Sequence, residues 1–149
     1  METPLVSVCM TTYNHEAYLV QAIESVLAQQ TSFGVELVLG EDCSTDRTPE
    51  ICREYAGKYP DRIRLVTSPE NVGWRRNYRR TFEACRGKYV AYLDGDDWWS
   101  DPRKLQKQAD LLEADPVCGM CYTRASNYWQ ATARTEPDHP DHYTDFGRL

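Results

Sequence analysis

No run of the 149 residues is long and apolar enough to span a bilayer. The opening residues, Met1-Glu2-Thr3-Pro4, also lack the basic start of an export signal, so a cytoplasmic location is expected. Positive charge is scarce. Seventeen Lys+Arg against 23 Asp+Glu leave a formal net charge of −6, and no Lys or Arg precedes Arg47. A duplex nucleic-acid binder carries the opposite imbalance, so nucleic acid is not expected as a partner. Glycine is missing from the first strand end, Thr11-Thr12-Tyr13-Asn14, and no G-x-G-x-x-G occurs. That argues against a dehydrogenase and against a nucleotidyltransferase with a Gly-rich phosphate loop. Cys118-Gly119-Met120-Cys121 has a zinc-like spacing, but no second Cys or His pair completes a four-ligand set.

What is present describes a globular domain: 41% hydrophobic residues, 27% charged, and enough length for one sizeable core. The six cysteines are scattered, mostly within apolar runs, and read as small buried hydrophobes in a reducing compartment.

Strand and helix signals alternate. Leu5 to Met10 and Val35 to Leu39 read as buried strands, Ile63 to Val66 as a third, Tyr89 to Leu93 as a fourth and Val117 to Tyr122 as a fifth. Asn14 is a candidate cap for a helix carrying Tyr18, Ala22, Ile23, Val26 and Leu27 on one stripe. Thr48-Pro49-Glu50 starts a second helix, with Ile51, Cys52 and Tyr55 inward. A third runs through Tyr78, Phe82 and Cys85 and closes at Gly87 as a left-handed residue. Asp101-Pro102 opens a fourth, with Leu105, Ala109 and Leu112 inward, and Pro116 ends it. After Tyr128 the pattern fails, and Thr135 to His142 reads as loop. The expected class is α/β, a mostly parallel sheet with helices on both faces, whose ligands bind at the carboxyl ends of the strands.

Three strand ends carry polar groups: Thr11 to Asn14, Glu41 to Asp46, and Asp94-Gly95-Asp96-Asp97. Three carboxylates within four residues repel one another unless a cation or protons compensate them. Hard oxygen donors with open coordination positions suit Mg²⁺ or Mn²⁺ bridging to a diphosphate. Arg75, Arg76, Arg79, Arg80, Arg86 and Lys88 then crowd one stretch, the sign needed for remaining phosphate charge.

Read in order, Val6 to Asn14, Glu41 to Thr48, Asn71-Val72-Gly73 and Gly87 to Trp99 resemble the family 2 glycosyltransferases of the GT-A fold, over about Leu5 to Tyr122. Asp101 to Gln108 resembles members that build bacterial surface polysaccharides. The resemblance implies a Rossmann-like nucleotide-diphospho-sugar transferase fold. It implies that Thr11 and Tyr13 line the base pocket, Tyr13 by stacking, and that Asp42 accepts a hydrogen bond from a base with a ring N–H, which favours a UDP-sugar. Arg76, with Arg75 as the alternative, would approach the phosphates; Asp94 and Asp96 would hold ribose and donor sugar, and Asp96 or Asp97 the metal, Mn²⁺ or Mg²⁺. Arg79 and Arg80 read instead as a solvated helix face. Two mild departures are Met10 before Thr11, where many relatives carry proline, and Glu41-Asp42, where two aspartates are usual.

The resemblance further implies inverting transfer to an acceptor hydroxyl, of a carbohydrate or a lipid-linked saccharide, by a carboxylate base that relatives carry well beyond the D-x-D segment. Residues 1–128 are thus expected to be the donor-binding domain, and 129–149 the start of an acceptor-binding region cut short, with the base beyond Leu149. Asp138, Asp141 and Asp145 are available carboxylates, but no family motif supports any of them. The longer protein is expected in the cytoplasm or at the inner face of the membrane. The alternative reading is a non-catalytic nucleotide-binding or interaction module that retains the fold.

Overall fold

The computed structural model describes residues 3–129 and 131–137. In chain order these form β1 (Val6–Thr12), α1 (Leu19–Leu27), β2 (Val35–Glu41), α2 (Thr48–Lys58), β3 (Ile63–Thr67), α3 (Trp74–Glu83), β4 (Tyr89–Asp94), α4 (Lys104–Ala114), β5 (Ser126–Trp129) and β6 (Arg134–Pro137). The first four strands make one parallel sheet in the order β3-β2-β1-β4. The chain steps outward from β1 to β3, then α3 carries it back to β4 on the other side of β1. The strand order therefore reverses between β1 and β4, where ligands of open α/β sheets bind.

The two faces of this sheet differ in chemistry. Val6, Val8 and Met10 of β1 and Leu37 and Leu39 of β2 pack with Leu19, Ala22, Ile23 and Val26 of α1, Cys52 of α2 and Leu105 of α4 in one apolar cluster. Ile51 and Tyr55 pack against it half-buried, so the stripe expected for the second helix is borne out. That of the first holds for Ala22, Ile23, Val26 and Leu27, but Tyr18 precedes α1 and is exposed, and Leu19 is buried instead.

The opposite face alternates with it and is far more polar. There α3 buries Asn77 and Thr81, whereas Phe82, expected inward, is 45% exposed. The reason lies in β2. A Cβ on Gly40 would sit 1.8 Å from Thr81 Oγ1, so glycine lets the helix approach until Asn77 Nδ2 donates to the Gly40 carbonyl at 2.9 Å. Hydrogen bonding, not apolar periodicity, chooses the inner face of α3.

Other expectations are corrected. Val117 to Tyr122 forms no strand: Asp115 captures the Cys118 amide through its carbonyl and the Val117 amide through its carboxylate, turning the chain away from the sheet. Cys118 and Cys121 thus lie on irregular backbone. Six free thiols are present, but only Cys9 and Cys52 are fully buried. The stretch after Tyr128, expected as loop, contributes Trp129 to β5 and all of β6, an antiparallel hairpin. Asp138, Asp141 and Asp145 lie outside the described residues. Gly87 is not left-handed; a Cβ there would meet the Ser7 amide nitrogen at 2.5 Å and the Val6 carbonyl carbon at 2.8 Å. Its role is close approach to β1. Asn14 caps no helix either, because α1 begins at Leu19.

At the amino end of the polar face, Glu36 is buried and accepts from Ser7 Oγ at 2.7 Å, the Arg86 amide at 2.9 Å and Arg86 Nη2 at 2.6 Å. Burial alone would raise this carboxyl. The bonds from Arg86 and Ser7 outweigh it and hold Glu36 below the ordinary value near 4.5. A carboxylate depressed in the folded state stabilises above its ordinary value and loses that contribution as pH falls through the folded one.

Three substitutions test these features of the fold. Gly87→Ala is expected to destabilise by about 1–3 kcal/mol through backbone overlap. Gly57→Ala, in α2 with open space at its Cβ, is expected to stabilise by about 0.5–1 kcal/mol. Glu36→Gln is expected to cost about 1–3 kcal/mol at neutral pH, with the difference from wild type shrinking below pH 4.5. Urea denaturation of each variant, repeated across pH for Glu36→Gln, checks all three.

Candidate functional site

Parallel pairing sets the ends of three strands side by side. Thr11 is level with Gly40 of β2 and with Asp94 of β4. Just past the paired region, two successive carbonyls of β1 anchor the neighbouring loops. Thr12 O accepts the Asp42 amide at 3.2 Å and Thr11 O the Gly95 amide at 2.9 Å. The loops carrying Asp42 and the Asp94–Asp97 acids therefore start from adjacent residues of one strand.

The β1 and β2 loops are zipped together by short polar side chains. Asn14, at φ 55°, donates its amide to Ser44 Oγ at 2.9 Å and accepts the Thr45 amide at 2.8 Å. The Glu16 amide donates to Asp46 at 3.1 Å, and the Arg47 amide returns to Glu16 at 2.8 Å. Asp46 also accepts the Thr48 amide at 2.9 Å, so it caps the start of α2. Glu41 turns inward and accepts the amides of Cys43 and Ser44 at 3.2 and 2.7 Å.

Asp42 is 2% exposed. Its Oδ1 accepts the Val72 amide at 3.0 Å and its Oδ2 the Gly73 amide at 2.9 Å, with Arg80 Nη2 3.6 Å from Oδ1. Arg80 belongs to this network rather than to the solvated face expected for it: Nη2 donates to the Glu41 carbonyl at 2.6 Å and Nε to Asn77 Oδ1 at 3.0 Å. Arg79 does lie on a solvated face, paired with Glu83. Gly73, at φ 83°, turns the chain into α3, whose first turn presents exposed Arg76, unpaired among the described residues. Arg75 stacks over Trp74 instead.

On the same face, Thr11 Oγ1 donates to Asp94 Oδ1 at 3.0 Å, and the Tyr92 hydroxyl also donates to Oδ1. Burial and that bond push the Tyr92 hydroxyl up to about 12, so it stays a donor near neutrality. Tyr13 is 41% exposed at the rim. Beyond Gly95, Asp96 faces solvent with His15 Nε2 3.8 Å from its Oδ2. Asp97 reaches solvent too, yet partial burial, then the charges of Asp96 and Asp94, push its carboxyl up. Among the described residues no three acids, His or Cys surround one point. The exposed Asp96 and Asp97 oxygens, in a field of uncompensated negative charge, fit a hard cation held by one or two carboxylates and completed by diphosphate oxygens and water.

All the residues expected at the site thus stand along one edge of the sheet. Glu41, Arg80, Tyr92 and His15 were not anticipated. Glu41 left a signal as a departure from the usual pair of aspartates, and Tyr92 stands two residues before Asp94 on the same face of β4; Arg80 and His15 act through partners remote in sequence.

Residues 7–148 match the sequence profile of Glycosyl transferase family 2. The chain belongs to this family. Over 110 residues it is 42% identical to the putative glycosyltransferase EpsE of Bacillus subtilis, covering 74% of this chain and 39% of that protein. Over 120 residues it is 37% identical to the putative teichuronic acid biosynthesis glycosyltransferase TuaG of the same organism, covering 80% and 46%. An uncharacterized protein of Mycobacterium tuberculosis, Rv1520, is 40% identical over 116 residues, 78% of this chain and 34% of that one. The chain thus spans between a third and a half of the length of these relatives. Among solved structures, the mannosyltransferase PcManGT of Pyrobaculum calidifontis, in complex with GDP-Man and Mn²⁺, superposes with a TM-score of 0.69 at 27% identity, covering 80% of this chain and 35% of that chain. Residues 1–349 of S. aureus TarS in complex with UDP give 0.63 at 26% identity, covering 73% and 32%. The fold is the GT-A fold of these glycosyltransferases.

Asp42 has a measurable structural duty before any ligand binds. Asp42→Ala is expected to lose about 1–3 kcal/mol of stability in ligand-free protein, because the Val72 amide loses its acceptor, the Gly73 amide keeps only Asn71 Oδ1, and Arg80 loses its ion pair. Denaturant unfolding without nucleotide measures it.

Proposed function

We propose that this edge of the sheet binds a nucleotide-diphospho-sugar, a UDP-sugar in preference, together with Mn²⁺ or Mg²⁺, and that the longer protein transfers the sugar with inversion to an acceptor hydroxyl of a carbohydrate or lipid-linked saccharide. The observation that carries the reading is the pair of β1 carbonyls that starts the Asp42 loop and the Asp94–Asp97 loop one residue apart. The TarS complexes with UDP and UDP-GlcNAc, and the PcManGT complex with GDP-Man and Mn²⁺, support it as relatives of the same fold.

In this reading residues 1–128 form the donor-binding unit. Tyr13 stacks on the base beside Thr11. Each Asp42 oxygen holds one close amide and keeps a lone pair for a ring N–H. Thr11 and Tyr92 both load Asp94 Oδ1, leaving Oδ2 for a sugar hydroxyl. Asp96 reaches the donor sugar or the cation, Asp97 the cation, and Arg76 supplies positive charge to the phosphates. When bound, the cation stabilises charge developing on the departing diphosphate. Transfer also needs a carboxylate to take the acceptor proton, and no residue of this edge is assigned to that step. The similarity to TuaG points to cell-surface polysaccharide assembly as the setting. No helix among the described residues is long and apolar enough to cross a membrane.

Calorimetry with UDP, with and without Mn²⁺, tests the reading. Binding is expected to tighten about tenfold or more with metal, and Asp96→Asn to remove most of that increment while sparing metal-free binding. Equal or absent heat in both titrations of the wild-type protein rejects it.

A further inference from the structure

His15 is half-buried in the β1–α1 loop, its amide held by Thr48 Oγ1 at 2.9 Å. Its ring has two different environments. Nε2 faces the Asp96 carboxylate at 3.8 Å. Nδ1 is buried without a partner, and the only other buried side-chain nitrogen or oxygen among the described residues in that state is Thr12 Oγ1. Both orphans converge on Gly95: a Cβ there would stand 2.8 Å from Thr12 Oγ1 and 3.0 Å from His15 Nδ1. Gly95 lies between the two acids of the D-x-D segment, so the histidine, the threonine and the loop form one packed unit.

We propose that His15 is a positioning residue for Asp96. The inference rests on the donor-binding reading of this edge. One buried water between Thr12 Oγ1 and Nδ1, donating to the ring nitrogen, satisfies both orphans at once. The ring is thereby fixed as the tautomer with its proton on Nε2, aimed at Asp96. A small rotation of the exposed Asp96 closes the 3.8 Å gap to a hydrogen bond, and the carboxylate then meets a cation from a fixed orientation, as at metal sites where loss of such a partner costs about 10–100-fold in metal affinity. The absence of a Cβ at Gly95 is what admits the ring beneath the loop.

Two measurements on the intact chain test this. Free Mn²⁺ is followed by electron paramagnetic resonance at saturating UDP for wild type, His15→Ala and His15→Gln, alongside metal-free UDP titrations and ligand-free melting. Glutamine places an N–H near the Nε2 position. A loss of about fivefold or more in Mn²⁺ affinity for His15→Ala, largely recovered by His15→Gln, with metal-free UDP binding and melting unchanged, supports the assignment. A smaller loss, no recovery by glutamine, or an equal loss in the metal-free titration overturns it. Imidazole ¹⁵N shifts of ligand-free protein are expected to show the proton on Nε2 and to move in Asp96→Asn; a proton on Nδ1, or shifts indifferent to Asp96, overturns this inference alone. Wild-type protein that takes up no Mn²⁺ at saturating UDP overturns the donor-site reading and this inference with it.

Discussion

Everything at the site hangs from two backbone carbonyls. Thr11 and Thr12 end a strand paired on both sides, so their positions are set by the ladder and not by any side chain. Each carbonyl takes the first amide of a loop that would otherwise leave the sheet unguided. Side chains then complete what the carbonyls begin. Glu41 closes the β2 loop on itself, Asp42 draws in the turn before α3, and Asn14, Glu16 and Asp46 join the β1 loop to the β2 loop. Acidic residues dominate this network because backbone amides are its donors and carboxylates their strongest acceptors.

The polar face of the sheet is organised at both ends. At the amino end Ser7, Glu36 and Arg86 tie β1, β2 and the approach to β4 together. At the carboxyl end Thr11, Asp42 and Asp94 gather. Between them Cys9 and Val38 are fully buried, a dry strip beneath α3. Gly40 links the two by letting α3 approach through Asn77 and Thr81.

Much of this was legible in the chain itself. The four parallel strands were, because each is a short apolar run ending abruptly in polar residues. The positions of the acids were, because spacing from a strand end fixes where a loop residue begins. The inner face of α3 was not, because its partner is a missing side chain on another strand. Val117 to Tyr122 looked like a strand by composition, but a strand also needs a neighbour with free backbone groups, and Asp115 turns the segment elsewhere. Oxygen-bearing residues near helix starts were found, yet Asn14 serves the neighbouring loop and Asp46 does the capping. The shielding of Asp42 depends on Val72 and Gly73, thirty residues away, and no local pattern announces it.

Alternation along β1 has one more consequence. Thr11 and Thr12 point to opposite sides of the sheet, so Tyr92, Asp94 and Asp42 collect on the α3 side, while His15 and Asp96 belong to the side of α1. The rim therefore divides a guest between two rooms with β1 as the threshold. Only an elongated molecule lying astride that threshold touches both, and a small compact one, however well it fits either half, leaves the other empty.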